Sequence, residues 1–171
     1  MNHFPEFDNQ DNMGGNQRFL FIPITDIEIL YLAVNQIVST PPELKTDCSF
    51  FKGYASYKTL LFEEKQEQSA AGSYFNQKLS GFYPKINPTA IALFSEMQNQ
   101  YFIVIVLDNN GQLRMVGNLE QPLKMRYSLS TGSNPATRNG VEYEFVGPSQ
   151  FPAPFFSDTS FFEEQLAVVI S

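Results

Sequence analysis

The run Phe102–Leu107 (FIVIVL) contains no polar residue. A strand with one wet face alternates apolar and polar side chains, so an unbroken run needs cover on both faces, and a helix is one form that cover can take. Asp108-Asn109-Asn110-Gly111 follows it, and then a second apolar run, QLRMVG. A polar turn ending in glycine between two such runs is a hairpin signal. Gly111 supplies the positive φ that the turn requires. The flanking segments are therefore read as elements that pair with this hairpin or lie on it, which makes the domain mainly β.

Upstream, RFLFIPIT (Arg18–Thr25) reads as a first strand, ending near Pro23, which lacks a donor N–H. Residues 26–39 carry both a helical stripe (Ile27, Leu30, Tyr31, Val34) and β-branched residues, and are expected to mix turn and strand. Two strand-like runs around Gln68–Gly72 predict a long hairpin over 57–82 with a projecting tip. Such a ribbon is only marginally stable alone and is also a means for one subunit to reach another. Asn87 can cap and Pro88 can open a helix over about 88–98, with Ala90, Ile91, Leu93, Phe94 and Met97 on one face.

Leu123, Met125, Tyr127 and Leu129 alternate with Lys124, Arg126 and Ser128, and Val141, Tyr143 and Phe145 alternate with Glu142 and Glu144. Both are period-two strands, and their pairing would set Lys124 and Arg126 against Glu142 and Glu144. GPSQFPAPFF (Gly147–Phe156) is too rich in proline for a central strand, and its three phenylalanines are expected to cap the core or meet a partner. FFEEQLAVVIS at the end is read as a last strand, with a short helix as the alternative.

The chain has 171 residues, enough for one domain with a self-sufficient core, here 18–171 behind an extended arm over 1–17. The arm is polar except for residues such as Phe4 and Phe7, the composition of a segment that gains order only by contact. It lacks the basic and apolar regions of a secretion signal, and no apolar run approaches the ~20 residues that span a bilayer. A net charge of −7 argues against tight nucleic-acid binding, for which a basic stripe is expected. Cys48 is the only cysteine, so no intrachain disulfide forms, and it is expected to be a small buried hydrophobe.

Nothing in the sequence assembles a catalytic centre. His3 is the sole histidine and lies in the arm, so neither a nucleophile–histidine pair nor a zinc site can be built on the core. Glu63 and Glu64 are neighbours in a strand and point to opposite faces, which suits surface charge better than paired acid–base work. Gly132, Gly140 and Gly147 are too widely spaced to cradle a phosphate. The expectation is a non-enzymatic protein without metal or cofactor.

The succession of a long hairpin, an Asn-Pro helix, FIVIVLDNNGQLRMVGN, an L-x-M-x-Y strand, a Thr-Gly loop, RNGVEYEFVG and Pro-Ala-Pro-Phe-Phe resembles phage tail proteins from viruses of Bacteroidetes-type hosts. It covers about Phe19 to Phe156 and is most similar to tail tube subunits. The resemblance implies a β-sandwich or split barrel with a flanking helix. It further implies homo-oligomeric rings, commonly hexameric, stacked into a virion tail tube with other tail proteins, made in the host cytoplasm and away from membranes. DNA would pass through without specific binding. Phe4, Phe7, Glu64, Gln68, Gly72, Phe151, Phe155 and Phe156 are the subunit-interface candidates, and Glu142 and Glu144 the lumen candidates. A tail adaptor, terminator or baseplate-hub protein of the same fold is the alternative. A monomeric module binding carbohydrate or peptide through Phe151, Phe155 and Phe156 is a further one.

Overall fold

A computed structural model describes residues 14–70, 72–133 and 138–168. In chain order the strands are β1 (Asn16–Pro23), β2 (Ile27–Ile29), β3 (Ile37–Val38), β4 (Glu43–Leu44), β5 (Phe51–Lys52), β6 (Leu61–Ser69) and β7 (Gly72–Pro84). Helix α1 (Pro88–Met97) follows, then β8 (Tyr101–Asp108), β9 (Leu113–Val116), β10 (Leu123–Ser130), β11 (Gly140–Ser149), β12 (Phe155–Phe156) and helix α2 (Ser160–Val168). The main sheet runs β3-β12-β9-β8-β10-β11-β7-β6, with β1 pairing along the other edge of β8 and β5 along β1. The sheet curls into a half-barrel, and β2 and β4 form a separate small sheet.

β8 sits at the centre because its sequence gives it two apolar faces. Phe102, Val104 and Val106 join Phe19, Phe21, Met125, Tyr143 and Phe145 in the core inside the curl, where α1 contributes Ala90, Phe94 and Met97. Ile103, Ile105 and Leu107 turn the other way, to Leu20, Ile22, Met115 and the α2 residues Phe162 and Leu166. Helices thus cover both faces. The inner core is an aromatic lattice: the Phe102 and Phe145 rings meet edge-on at 5.5 Å, and Phe94 stacks on Tyr143 at 5.8 Å. Such pairs add about 0.5–1.5 kcal/mol each beyond the area they bury.

Residues 53–60 bridge the open seam of the curl in place of a strand. Gly53 N–H donates to Phe19 O on β1 (3.0 Å) and Ser56 N–H to Phe82 O on β7 (2.8 Å). Tyr143 Oη donates to Tyr54 O (2.7 Å), and burial pushes that phenol far above its ordinary pKa. The hydroxyl passes directly over Gly81, whose missing Cβ makes room for it.

The sequence readings hold for the central hairpin, with Gly111 at φ +76°, and for α1, whose Ala90 N–H donates to Asn87 Oδ1 at 2.8 Å. Residues 26–39 are the expected mixture, and β10 does pair with β11. Four readings change. The final segment is the helix α2, not a strand: Asp158 accepts from Ser160 N–H (2.9 Å) at its start, and Phe162 and Leu166, one turn apart, share the second core. Gly147–Ser149 prolong β11, where Pro148 is tolerated because β10 has already ended opposite Val146. Phe155–Phe156 insert as the two-residue β12 between β9 and β3. Cys48 is only partly buried.

Candidate functional site

The strands β10, β11, β7 and β6 form a four-stranded antiparallel unit whose residues fall into cross-strand rows. One row is Arg126–Glu144–Ser80–Leu61, the next on the same face Lys124–Val146–Lys78–Glu63. Directly opposed residues share a face, so this outward face carries Lys124, Arg126, Lys78 and Lys65 together with Glu63, Glu142 and Glu144. The lumen candidates Glu142 and Glu144 therefore stand among cations, and the face is mixed in charge rather than acidic. Of the four residues expected to face one another, the register opposes only Arg126 to Glu144, and the Glu144 carboxylate is drawn instead to Lys78 Nζ at 3.3 Å. Lys124 faces Val146.

Both margins of this unit lack a strand neighbour among the described residues. β6 ends the sheet order along its whole length. β10 meets β8 only at Leu123 and Lys124, which leaves Met125–Ser130 open on that side. Open margins expose unpaired N–H and C=O groups and are templates for pairing with another chain. Four alternating strands make β6 and β10 run in opposite directions.

The inward face of β6 holds what the sequence reading missed. The Glu64 side chain is 13 % exposed and its Oε1 meets Arg114 Nη2 at 3.1 Å. Glu64 Oε2 accepts from Gln77 Nε2 (2.9 Å) and Ala153 N–H (2.7 Å). Arg114 lies between the rings of Phe62 (5.0 Å) and Phe155 (4.7 Å) and also donates to Ala153 O at 3.0 Å. Gln77 Oε1 accepts from Gly117 N–H at 3.2 Å. Among the described residues no buried side-chain nitrogen or oxygen is left without a partner. The cluster is a clamp that fastens residues 151–155 to β6, β7 and β9. Strand alternation did require one of Glu63 and Glu64 to face inward, but its cation lies fifty residues away (|i−j| = 50) and left no local mark.

The interface candidates thus separate. Glu64 is held inside the chain. Gln68 and Gly72 are exposed at the hairpin tip, the only part of that hairpin beyond the reach of β11, which pairs with β7 as far as Phe75. Phe156 is buried in the second core and Phe155 is applied to Arg114, while Phe151 stands 62 % exposed. Phe4 and Phe7 lie outside the described residues.

No family model, curated protein or solved structure matches this chain.

Phe151 and Pro152 rim a cavity of about 360 Å³ together with Leu30, Leu32, Met115 and Gly117. A polar basin of about 590 Å³ lies on the outward sheet face, lined by Lys58, Lys78, Arg126, Arg138, Glu142 and Glu144 among others. Among the described residues no three His, Cys, Asp or Glu side chains converge as a metal site, and no helix is long and apolar enough to cross a membrane. The surface suits strand pairing and charge contact.

Proposed function

We propose that the chain is a structural subunit of a phage tail tube, assembling through the open margins of the β10-β11-β7-β6 unit. The observation that carries this reading is the pair of unpaired margins, of opposite strand direction, on a four-stranded unit with one polar face. Joining β6 of one copy to β10 of the next continues the antiparallel alternation without a break. The contact is heterologous, and a heterologous contact closes into a ring when its rotation divides the circle. Charge fits the joint: β6 presents Glu63 and Glu67 on the face where β10 presents Lys124 and Arg126. The polar face then lines the bore, and its mixed charge gives passing DNA little net attraction.

A charge swap tests the joint. K124E/R126E and E63K/E67K each place like charges across it and abolish rings or tubes in negative-stain microscopy at high protein concentration. Both reversals in one chain restore them. Failure of the quadruple variant to assemble, with each double variant folded, refutes the pairing. An adaptor or terminator using the same margins makes one ring, and copy number per particle separates it from a tube. The exposed Phe151 beside its apolar cavity favours the ligand-module reading instead, which a monodisperse monomer with saturable carbohydrate or peptide binding would establish.

A further inference from the structure

The cavity of about 360 Å³ lies between the segment leading into β3 and the segment leading into β12. Its volume is that of a small-molecule site. None of the described residues that line it is charged, in a chain with 17 % of its residues charged. Besides aliphatic side chains and proline, the lining holds two rings, Tyr31 and Phe151, and the carboxamides of Asn35, Gln36 and Asn118.

The Phe151 ring is exposed, and no described ring or cation is applied to it. Its backbone is fixed nonetheless. Phe151 O accepts from Ser149 Oγ (2.7 Å) and Gln77 Nε2 (3.3 Å), Phe151 N–H donates to Ser149 Oγ (3.3 Å), and Pro152 stiffens the chain that follows. An apolar ring held out to water on a fixed backbone contributes little inside the fold and is ready-made as a contact surface.

On the other wall, Val34 and Ile37 exchange both backbone hydrogen bonds (2.9 and 3.0 Å) around Asn35 and Gln36, at φ +51° and +65°. A primed two-residue turn of this kind favours asparagine and glycine. Glutamine there carries backbone strain. The backbone role of Gln36, accepting from Phe155 N–H at 2.9 Å, needs no side chain, and glycine would fill it without strain. The Asn35 and Gln36 carboxamides have no hydrogen-bond partner among the described residues. Asn118 Oδ1 accepts from the Glu120 and Gln121 N–H groups, which fixes that amide and leaves its Nδ2 to donate.

A neutral pyranose has the complementary chemistry. Its C–H face lies on an aromatic ring, and its hydroxyls each donate and accept, as carboxamides do. A phosphate, a carboxylate or an acidic sugar would enter without a counter-charge. A peptide added as a strand would need open backbone groups, and at this rim those of Val34, Ile37 and Phe151 are already paired within the chain.

We propose that this cavity binds an uncharged saccharide, with a sugar ring stacked on Phe151 and its hydroxyls held by Asn35, Gln36 and Asn118. The proposal rests on the ligand-site reading of Phe151 and not on the tube, since no lining residue lies in β6 or β10.

The intact protein, applied to an array of neutral and acidic glycans, binds neutral ones, and calorimetric titration with the bound glycan gives the same affinity in low and high salt. Phe151→Ala lowers that affinity by about tenfold or more, the scale of a central aromatic contact, and Phe151→Tyr retains it. Gln36→Gly melts no lower than wild type and yet binds severalfold more weakly, a split that a merely structural glutamine would not produce. An array with no neutral glycan bound overturns the proposal, as does a preference for acidic glycans. So does neutral binding that survives both Phe151→Ala and Gln36→Gly, or a proline-rich peptide that displaces nothing but binds the cavity more tightly than any glycan. Microscopy of the same samples keeps the two readings apart: rings without glycan binding remove this site alone, and glycan binding without rings removes the tube alone.

Discussion

Replacing Arg114 by alanine removes the cation from the Glu64 clamp and leaves the carboxylate in place. That carboxylate is 13 % exposed and would retain two donors, Gln77 Nε2 and Ala153 N–H. Removing one partner of a fully buried ion pair costs about 3–5 kcal/mol, chiefly as the penalty on the charge left behind. Arg114 itself is 23 % exposed and water can reach the gap, so the low end of that range applies. Lost cation–π contact with Phe62 and Phe155 adds about 0.5–1 kcal/mol per ring. The expected loss is about 4–5 kcal/mol. With a urea m-value of about 2 kcal/mol/M, the midpoint falls by about 2–2.5 M. Arg114→Met combined with Glu64→Gln removes both charges and costs less than Arg114→Met alone, because the stranded carboxylate is gone. Equilibrium unfolding of the wild type, both single variants and the double variant gives the coupling directly. Additive single effects, or a loss under about 1 kcal/mol for Arg114→Ala, would refute the clamp as a stabilising unit.

Gly81→Ala drives a methyl group into the Tyr143 hydroxyl, and overpacking of this kind costs about 1–3 kcal/mol, read as a lowered thermal midpoint. Asn87→Ala deletes the α1 cap and costs about 1 kcal/mol in urea unfolding, whereas Asn87→Ser costs less. Asp158 accepts from the Ser160 backbone and hydroxyl, which holds its carboxyl below the usual range. A lowered folded-state pKa contributes stability above the unfolded value that is lost as pH falls through the folded one. Asp158→Ala therefore lowers the melting temperature at neutral pH, and the gap to wild type closes on acidification below the ordinary aspartate pKa. A gap that persists undiminished in acid would refute the cap as an ionic one.

What the residues announced locally, the structure contains. Phe102–Leu107 could only be a strand covered on both sides, and Asn87-Pro88 could only start α1 where it does. The alternation at 123–129 and 141–145 set which side chains face the core. The last segment was harder because Phe161, Phe162 and Val168 favour strands by type while Phe162 and Leu166 favour a helix by spacing. The deciding signal was Asp158 two residues before the first helical residue, followed by Glu163 in the first turn. Glu64 illustrates a different limit. Its burial depends on Arg114, Gln77 and the Ala153 backbone, which come together only once β6, β7, β9 and the approach to β12 are in place. The open margins of β6 and β10 are likewise properties of strand order, which pattern along a chain does not encode.

The alternation along β8 assigns adjacent side chains to different interiors: Phe102 to one, Ile103 to the other, and so on to Leu107. A slip of β8 by a single residue would send phenylalanine and valine into the compartment shaped for isoleucine and leucine, and the reverse, at the same moment. Neither compartment can drift or loosen by sliding without injuring its neighbour. The two interiors are therefore locked together through one shared strand, and the molecule should melt as one unit.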